Sequence, residues 1–202
     1  MNGPSSSTRS RPYRMKARAE AARATADRVL EVAVDLFTER PYEDVSLEQV
    51  ASHAGVASRT LLRRFGSKES LFVDAMGQAA RDAQQERDEA PVDDVAGAVG
   101  FLVDQYERWG TNRLRMLAQE DRIPVVADNV RDGRRYHQEW VERTFSSLLE
   151  DARGAARNRR KAALVVATDV YTWKLLRQDL GFSRRETERI IVELVEQTAN
   201  GR

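Results

Sequence analysis

The chain has no cysteine and only two histidines, His53 and His137. Disulfides, thiolate catalysis and cysteine-type zinc sites are thereby excluded, and a histidine metal cluster is disfavoured. Glycine (11) and proline (5) are scarce among the 202 residues. Long alternating runs of β-branched residues are also missing, so a sheet is not expected and an all-α fold is. The longest strictly apolar run is about Ala162–Ala167, far short of the ~18–20 residues that span a bilayer. Met1–Ser10 lacks the apolar stretch of a secretory signal, so no membrane partner and a cytoplasmic location are expected. No glycine-rich phosphate loop, nucleophile elbow or metal-ligand spacing is found. A helical enzyme is therefore a remote alternative, and no cofactor or metal is expected. A dominant charge is absent too: 33 Lys+Arg face 32 Asp+Glu.

What is present is a polar but foldable composition, 41% hydrophobic and 32% charged. A chain of this length buries roughly 70% of its unfolded surface and holds one large or two small domains. The distribution of charge says more than its total. Residues 1–28 carry seven bases against Glu20 and Asp27, and residues 46–68 carry four bases against Glu48. Beyond residue 76 the balance is −1. Residues 1–22 read as a disordered basic tail that turns helical near Ala17. It is either a solvated tail or an arm that lies along phosphates.

Helical periodicity begins with Val29, Val32, Ala33, Leu36 and Phe37, one apolar stripe on a helix from Thr25 to Glu39. Thr25 is the expected cap, and Arg40-Pro41 the stop. Ser46 and Gln49 form a capping box that opens a second helix, which ends at Gly55. A third runs from about Ser58 to Phe65, and Ser67 caps a fourth. In the spacing Ala51-x-x-x-Gly55, the small residue lets the next helix cross closely, and the glycine supplies the φ > 0 that a tight turn needs. Val50, Val56 and Leu61 fill the wedge. An ordinary αα-hairpin shares this pattern, but the cations Arg59, Arg63, Arg64 and Lys68 favour a helix-turn-helix whose second helix enters the major groove.

Residues 25–76 resemble the TetR family of bacterial transcriptional regulators. The resemblance runs through Arg28-Val29-Leu30-Glu31-Val32-Ala33, Leu36-Phe37-Thr38-Glu39-Arg40 and Val50-Ala51-x-x-Ala54-Gly55-Val56. It continues through Arg59-Thr60-Leu61-Leu62-Arg63-Arg64-Phe65 and Ser67-Lys68-Glu69-x-Leu71. It implies that Thr60 and Lys68 contact phosphates, that Ser46 caps its helix beside one, and that Ser58, Arg59 and Arg64 face bases. The chain departs from the family pattern at Ala57, where Ser58 is expected to cap instead. It also departs at Leu62, which replaces an aromatic and can touch a thymine methyl, and at Arg64, which adds an ionic contact.

The implied architecture has about nine helices in three parts. These are the tail (1–22), a three-helix DNA-binding domain (23–68) and a helical ligand-binding and dimerisation domain (69–202). In the last part we expect a stripe from Val95 to Trp109, a short helix over Leu114–Ala118 and a long helix from Val126 to Leu148. Ala162–Leu180 should form one helix, followed by another capped by Ser183. The final pair, about 160–199, is the expected homodimer interface. Tyr106, Trp109, His137 and Trp140 are candidates to line a pocket for an unknown small-molecule effector, although any one of them can be plain core. The expected function is a homodimeric repressor of a palindromic double-stranded DNA operator, released by a small molecule. The alternative is a helix-turn-helix regulator whose C-terminal part binds a protein, or no ligand.

Overall fold

The computed structural model describes residues 10–200, which form nine α-helices with no strand among the described residues. They are α1 (Ser10–Glu39), α2 (Leu47–His53), α3 (Ser58–Phe65), α4 (Lys68–Asp88), α5 (Val95–Leu117), α6 (Pro124–Thr144), α7 (Gly154–Ala167), α8 (Val170–Lys174) and α9 (Arg184–Asn200). A 3₁₀ turn (Tyr42–Asp44) precedes α2, another (Ser146–Leu149) follows α6, and a π-helical turn (Leu175–Asp179) extends α8. None of the described helices is long and apolar enough to cross a membrane.

The helices pack as two cores. The first collects Val29, Ala33, Phe37, Val50, Leu61, Phe65, Leu71 and Phe72 from α1–α4, and closes over Met116, Ile123, Val126 and Val130. Phe37, Tyr42 and Phe72 form an aromatic trio with centroids 5.1–5.7 Å apart. The second core holds Leu102, Val103, Tyr106, Trp140, Phe145, Leu164, Trp173 and Ile191. α4 serves both: Leu71, Phe72, Ala75 and Met76 enter the first, while Arg87, its penultimate residue, is buried beside Trp140 of the second.

Several boundaries differ from the sequence reading. α1 starts at Ser10 rather than Thr25, so residues 10–22 of the expected tail are helical; residues 1–9 lie outside the described residues. This stretch of Ala, Arg, Lys and Glu has high helix propensity without an apolar stripe, and propensity prevails. Thr25 is therefore internal and donates to the Ala21 carbonyl at 2.8 Å instead of capping. α5 is continuous through Leu114–Leu117, and at Gly110 the Trp173 ring presses against the helix backbone. A Cβ there would stand 2.5 Å from Trp173 Cζ3. The helix expected over 162–180 is broken at Thr168-Asp169. Asp169 leaves helical geometry (ψ 152°), and its carboxylate accepts from Tyr171 N at 2.9 Å, which caps α8. Such local capping competes with helix continuation. At α9 the Ser183 hydroxyl accepts from Glu186 N at 3.2 Å.

Candidate nucleic-acid interface and effector core

Local chemistry sets the start of α2. The capping box forms in both directions: Gln49 N donates to Ser46 Oγ at 3.2 Å, and Ser46 N donates to Gln49 Oε1 at 2.8 Å. The turn between α2 and α3 passes through Gly55 at φ 64°. There a side chain would strain the backbone even though space is free around it. Arg28 Nε of α1 donates to the Ala54 carbonyl at 2.9 Å and ties α1 to this turn. Arg28 thus has a structural bond inside the motif, which a charge count of the basic arm does not reveal.

α3 begins at Ser58 with Ala57 as its cap residue, and no side chain caps it. The expected Ser58 cap does not form. Leu61 and Phe65 sink into the first core, worth about 1.5–3 kcal/mol each. That orientation leaves Arg59, Leu62, Arg63 and Arg64 exposed, with Ser58 and Thr60 half-buried at the edges. The helix has no acidic residue, so its outer face is a cationic strip with one apolar residue, Leu62.

Ser46 and Lys68 flank this strip. The Ser46 hydroxyl is half-buried at the start of α2. Lys68 opens α4 behind Ser67, whose hydroxyl accepts from Ser70 N at 3.0 Å. The Lys68 ammonium lies 4.2 Å from the Tyr42 ring centroid and donates to the Glu43 carbonyl at 3.4 Å. Partial burial holds its pKa below the usual lysine value, against the opposing pull of Glu43 and Asp44. All eight candidate DNA contacts therefore lie on or beside α2, α3 and the α4 N-terminus.

The four candidate pocket residues divide three to one. Tyr106, His137 and Trp140 are buried together in the second core, with His137 stacked on Trp140 at 5.8 Å. Trp109 is 47% exposed and is not among the buried residues of that core. The sequence reading missed the partners that organise the other three. Buried Arg87 donates through Nε to Gln105 Oε1 at 2.8 Å and through Nη1 to His137 Nδ1 at 3.3 Å. Arginine only donates, so His137 Nδ1 must accept. Nε2–H then donates to Thr168 Oγ1 at 3.2 Å, and Thr168 Oγ1 donates on to the Leu164 carbonyl at 2.8 Å. Tyr106 OH donates to the Thr168 carbonyl at 2.9 Å. Burial first, then the nearby cations Arg87 and Arg113, push the His137 pKa down to about 3, so the ring is neutral. Burial and Arg87 likewise bring Arg113 down to about 10. In the sequence Arg87 sits in a charged run, Arg81 to Glu89, that reads as a solvated helix face; nothing local marks it as buried.

The two-helix geometry, the glycine turn and the acid-free outer helix define a helix-turn-helix. Residues 29–75 match the family model described as bacterial regulatory proteins, tetR family. Over this N-terminal segment the chain is similar to that family. It is 34% identical over 90 residues to the uncharacterized HTH-type transcriptional regulator YezE of Bacillus subtilis, a match covering 43% of this chain and 44% of the relative. It is 34% identical over 97 residues to the HTH-type transcriptional regulator TcmR of Streptomyces glaucescens, covering 46% and 43%. The chain thus spans less than half the length of the curated relatives it matches. A solved tetR-family transcriptional regulator from Streptomyces coelicolor shares the fold, with a TM-score of 0.68 at 19% identity over 88% of this chain and 83% of that one.

Proposed function

We propose that the protein is a homodimeric repressor whose α3 helices read the two halves of a palindromic operator, and that a small molecule bound in the second core releases it. The observation that carries the DNA reading is the outer face of α3. Arg59, Arg63 and Arg64 stand exposed beside Leu62 and oppose no acid on the helix. Arginine pairs bidentately with guanine, a leucine methyl suits the thymine methyl, and cations pair with phosphate. Ser46, Thr60 and Lys68 are assigned to phosphates, and Ser58, Arg59, Leu62 and Arg64 to bases, with Arg63 as a further cation.

Dimerisation through residues 160–199 is supported by the apolar groups left outside both cores. Val166, Tyr171, Leu175, Leu180 and Leu194 are 39–66% exposed, whereas Leu164, Trp173, Leu176 and Ile191 of the same elements are buried. Exposed apolar groups concentrated in one region mark an association surface. A closed C2 dimer implies an operator of twofold symmetry, with half-sites one helical turn apart, about 34–36 Å. An effector that favours a wider spacing by 1–3 kcal/mol weakens DNA binding roughly 5–150-fold. Tyr106, His137 and Trp140 belong to the effector core; Trp109 does not, on the grounds of its exposure.

A mobility-shift titration on sheared DNA of mixed sequence, run beside light scattering, tests the reading. The expected result is salt-sensitive binding by a particle of about twice 22.9 kDa. A monomer at micromolar concentration, or no DNA binding at low salt, contradicts it.

A further inference from the structure

The second core encloses Arg87 and an indole N–H whose needs coincide, and Arg113 stands half-buried beside them. Arg87 and Arg113 approach the Tyr106 ring, each with its guanidinium carbon 5.7 Å from the centroid. Arg87 is also 5.3 Å from the Trp140 ring. Arg87 Nη2 and Trp140 Nε1 are both buried without a hydrogen-bond partner. Arg87 and Trp140 are 2% and 0% exposed. Among the described residues no carboxylate forms an ion pair with either Arg87 or Arg113. Their acidic neighbour, Glu86, is engaged by Arg108 and by Gln105 Nε2. The imidazole between them and Thr168 is neutral and contributes no counter-charge.

A buried cation without a counter-ion is disfavoured, and a buried donor without an acceptor adds to the cost. Helical cores are ordinarily filled with apolar side chains, and here Arg87 stands fully buried where methionine or leucine would satisfy packing. The unmet donors of Arg87 and Trp140 ask for an oxygen acceptor, and the half-buried Arg113 beside the same Tyr106 ring favours an anionic one. The rings of Tyr106 and Trp140 ask for an apolar or aromatic body beside it. A carboxylate matches the planar guanidinium fork and accepts two hydrogen bonds at once.

We infer that the second core is the site of a small organic carboxylate with an apolar body, held by Arg87 and Arg113. This rests on the effector-release reading above and names the chemical class of that effector. It also supplies a route outward. Arg87 is bonded through His137 to Thr168, which ends α7 at the break before α8. An anion that draws Arg87 away from His137 loosens a bond reaching the elements assigned to the dimer surface.

The test uses the full chain and two matched panels, aromatic and medium-chain carboxylic acids (benzoate and octanoate among them) and their primary amides. Thermal unfolding gives the stabilisation, and fluorescence anisotropy of a bound DNA duplex gives release. The expected result is that one or more acids stabilise the protein and release DNA while their amides do not. Arg113→Met and Arg87→Gln should then weaken acid binding by about 10- to 100-fold, the range for a charged hydrogen bond. Acids and amides acting alike, with the variants unchanged, overturn the carboxylate assignment but leave effector release standing. Amides acting without acids do the same. No compound of either panel acting overturns both. A second measurement needs no ligand: Arg113→Met keeps the stem and removes the unpaired charge, so the free protein should melt at a higher temperature. A lower melting temperature makes Arg113 a structural cation and overturns the proposal.

Discussion

Gln119, two residues beyond α5, accepts a hydrogen bond from Tyr42 N at 2.7 Å, joining positions 77 residues apart. Its own amide donates back to the Arg115 carbonyl at 2.8 Å, so the side chain is held from both sides and buried. Arg115 in turn donates to the Thr38 carbonyl of α1, and Arg122 pairs with Glu43 at 3.8 Å. The end of α5 thereby grips the segment on which Lys68 rests. Replacing Gln119 by Leu preserves volume but leaves Tyr42 N without its acceptor. A loss of about 1–3 kcal/mol in urea unfolding is expected. DNA affinity should fall with it, because Tyr42 supports Lys68. Unchanged stability would show the bond to be dispensable.

Arg59 and Lys68 occupy different positions, and their replacement should have different consequences. Arg59→Ala, on the exposed face of α3, should relax base preference at one operator position at a cost of about 1–3 kcal/mol. Lys68→Ala should weaken all sequences alike and reduce the salt slope by about one. Competition binding against single-base operator variants separates the two. Equal effects of both substitutions on every operator would remove Arg59 from base reading.

His137 gives a pH signature with a definite sign. Its folded pKa is depressed to about 3 from an ordinary 6.5. Below 6.5 the unfolded chain therefore binds a proton that the folded chain refuses. Stability from this group is complete above 6.5 and declines as pH falls toward 3, by up to roughly 1.4 kcal/mol per pH unit. Denaturant unfolding from pH 7 to pH 4 should show a steeper acid limb for the native chain than for His137→Gln. Parallel limbs would mean that the ring protonates in place.

Gly110 carries a steric prediction. A methyl group there meets the Trp173 ring at 2.5 Å. The indole cannot swing away freely, because Nε1 donates to Glu107 Oε1 at 2.8 Å and Arg177 holds the same carboxylate. Gly110→Ala should cost about 1–3 kcal/mol, despite alanine's better helix propensity. A rise in the unfolding midpoint would contradict the tight contact.

How much of this could be read in advance depended on whether the signal was local. Ser46, Ser67 and Ser183 cap their helices as the spacing implies, and Gly55 adopts positive φ, since each is decided within a few residues. α1 upstream of Thr25 was hidden, because a helix without an apolar stripe has no periodicity to detect. The break at Asp169 was masked by the apolar residues around it, which suit a continuous helix equally well. On α3, the exposed set follows directly from the burial of Leu61 and Phe65. The second core was the least legible part. Tyr106, His137 and Trp140 could be named as aromatic and apolar positions, but nothing marks Arg87 as buried, or Arg113 as its neighbour, in a chain with 29 arginines. Only the packing of α4 and α5 brings them to one ring.

The central claim is that α3 reads sequence from a twofold-symmetric dimer. Repeated selection of bound duplexes from a random DNA pool, at physiological salt, tests it most directly. The expected result is enrichment of one inverted repeat whose half-site centres lie about one helical turn apart, roughly 10–10.5 base pairs, or a multiple of it. The enrichment should disappear when Arg59, Arg63 and Arg64 are replaced together. An unenriched pool, a single asymmetric half-site, or selection that survives the triple replacement would contradict the claim.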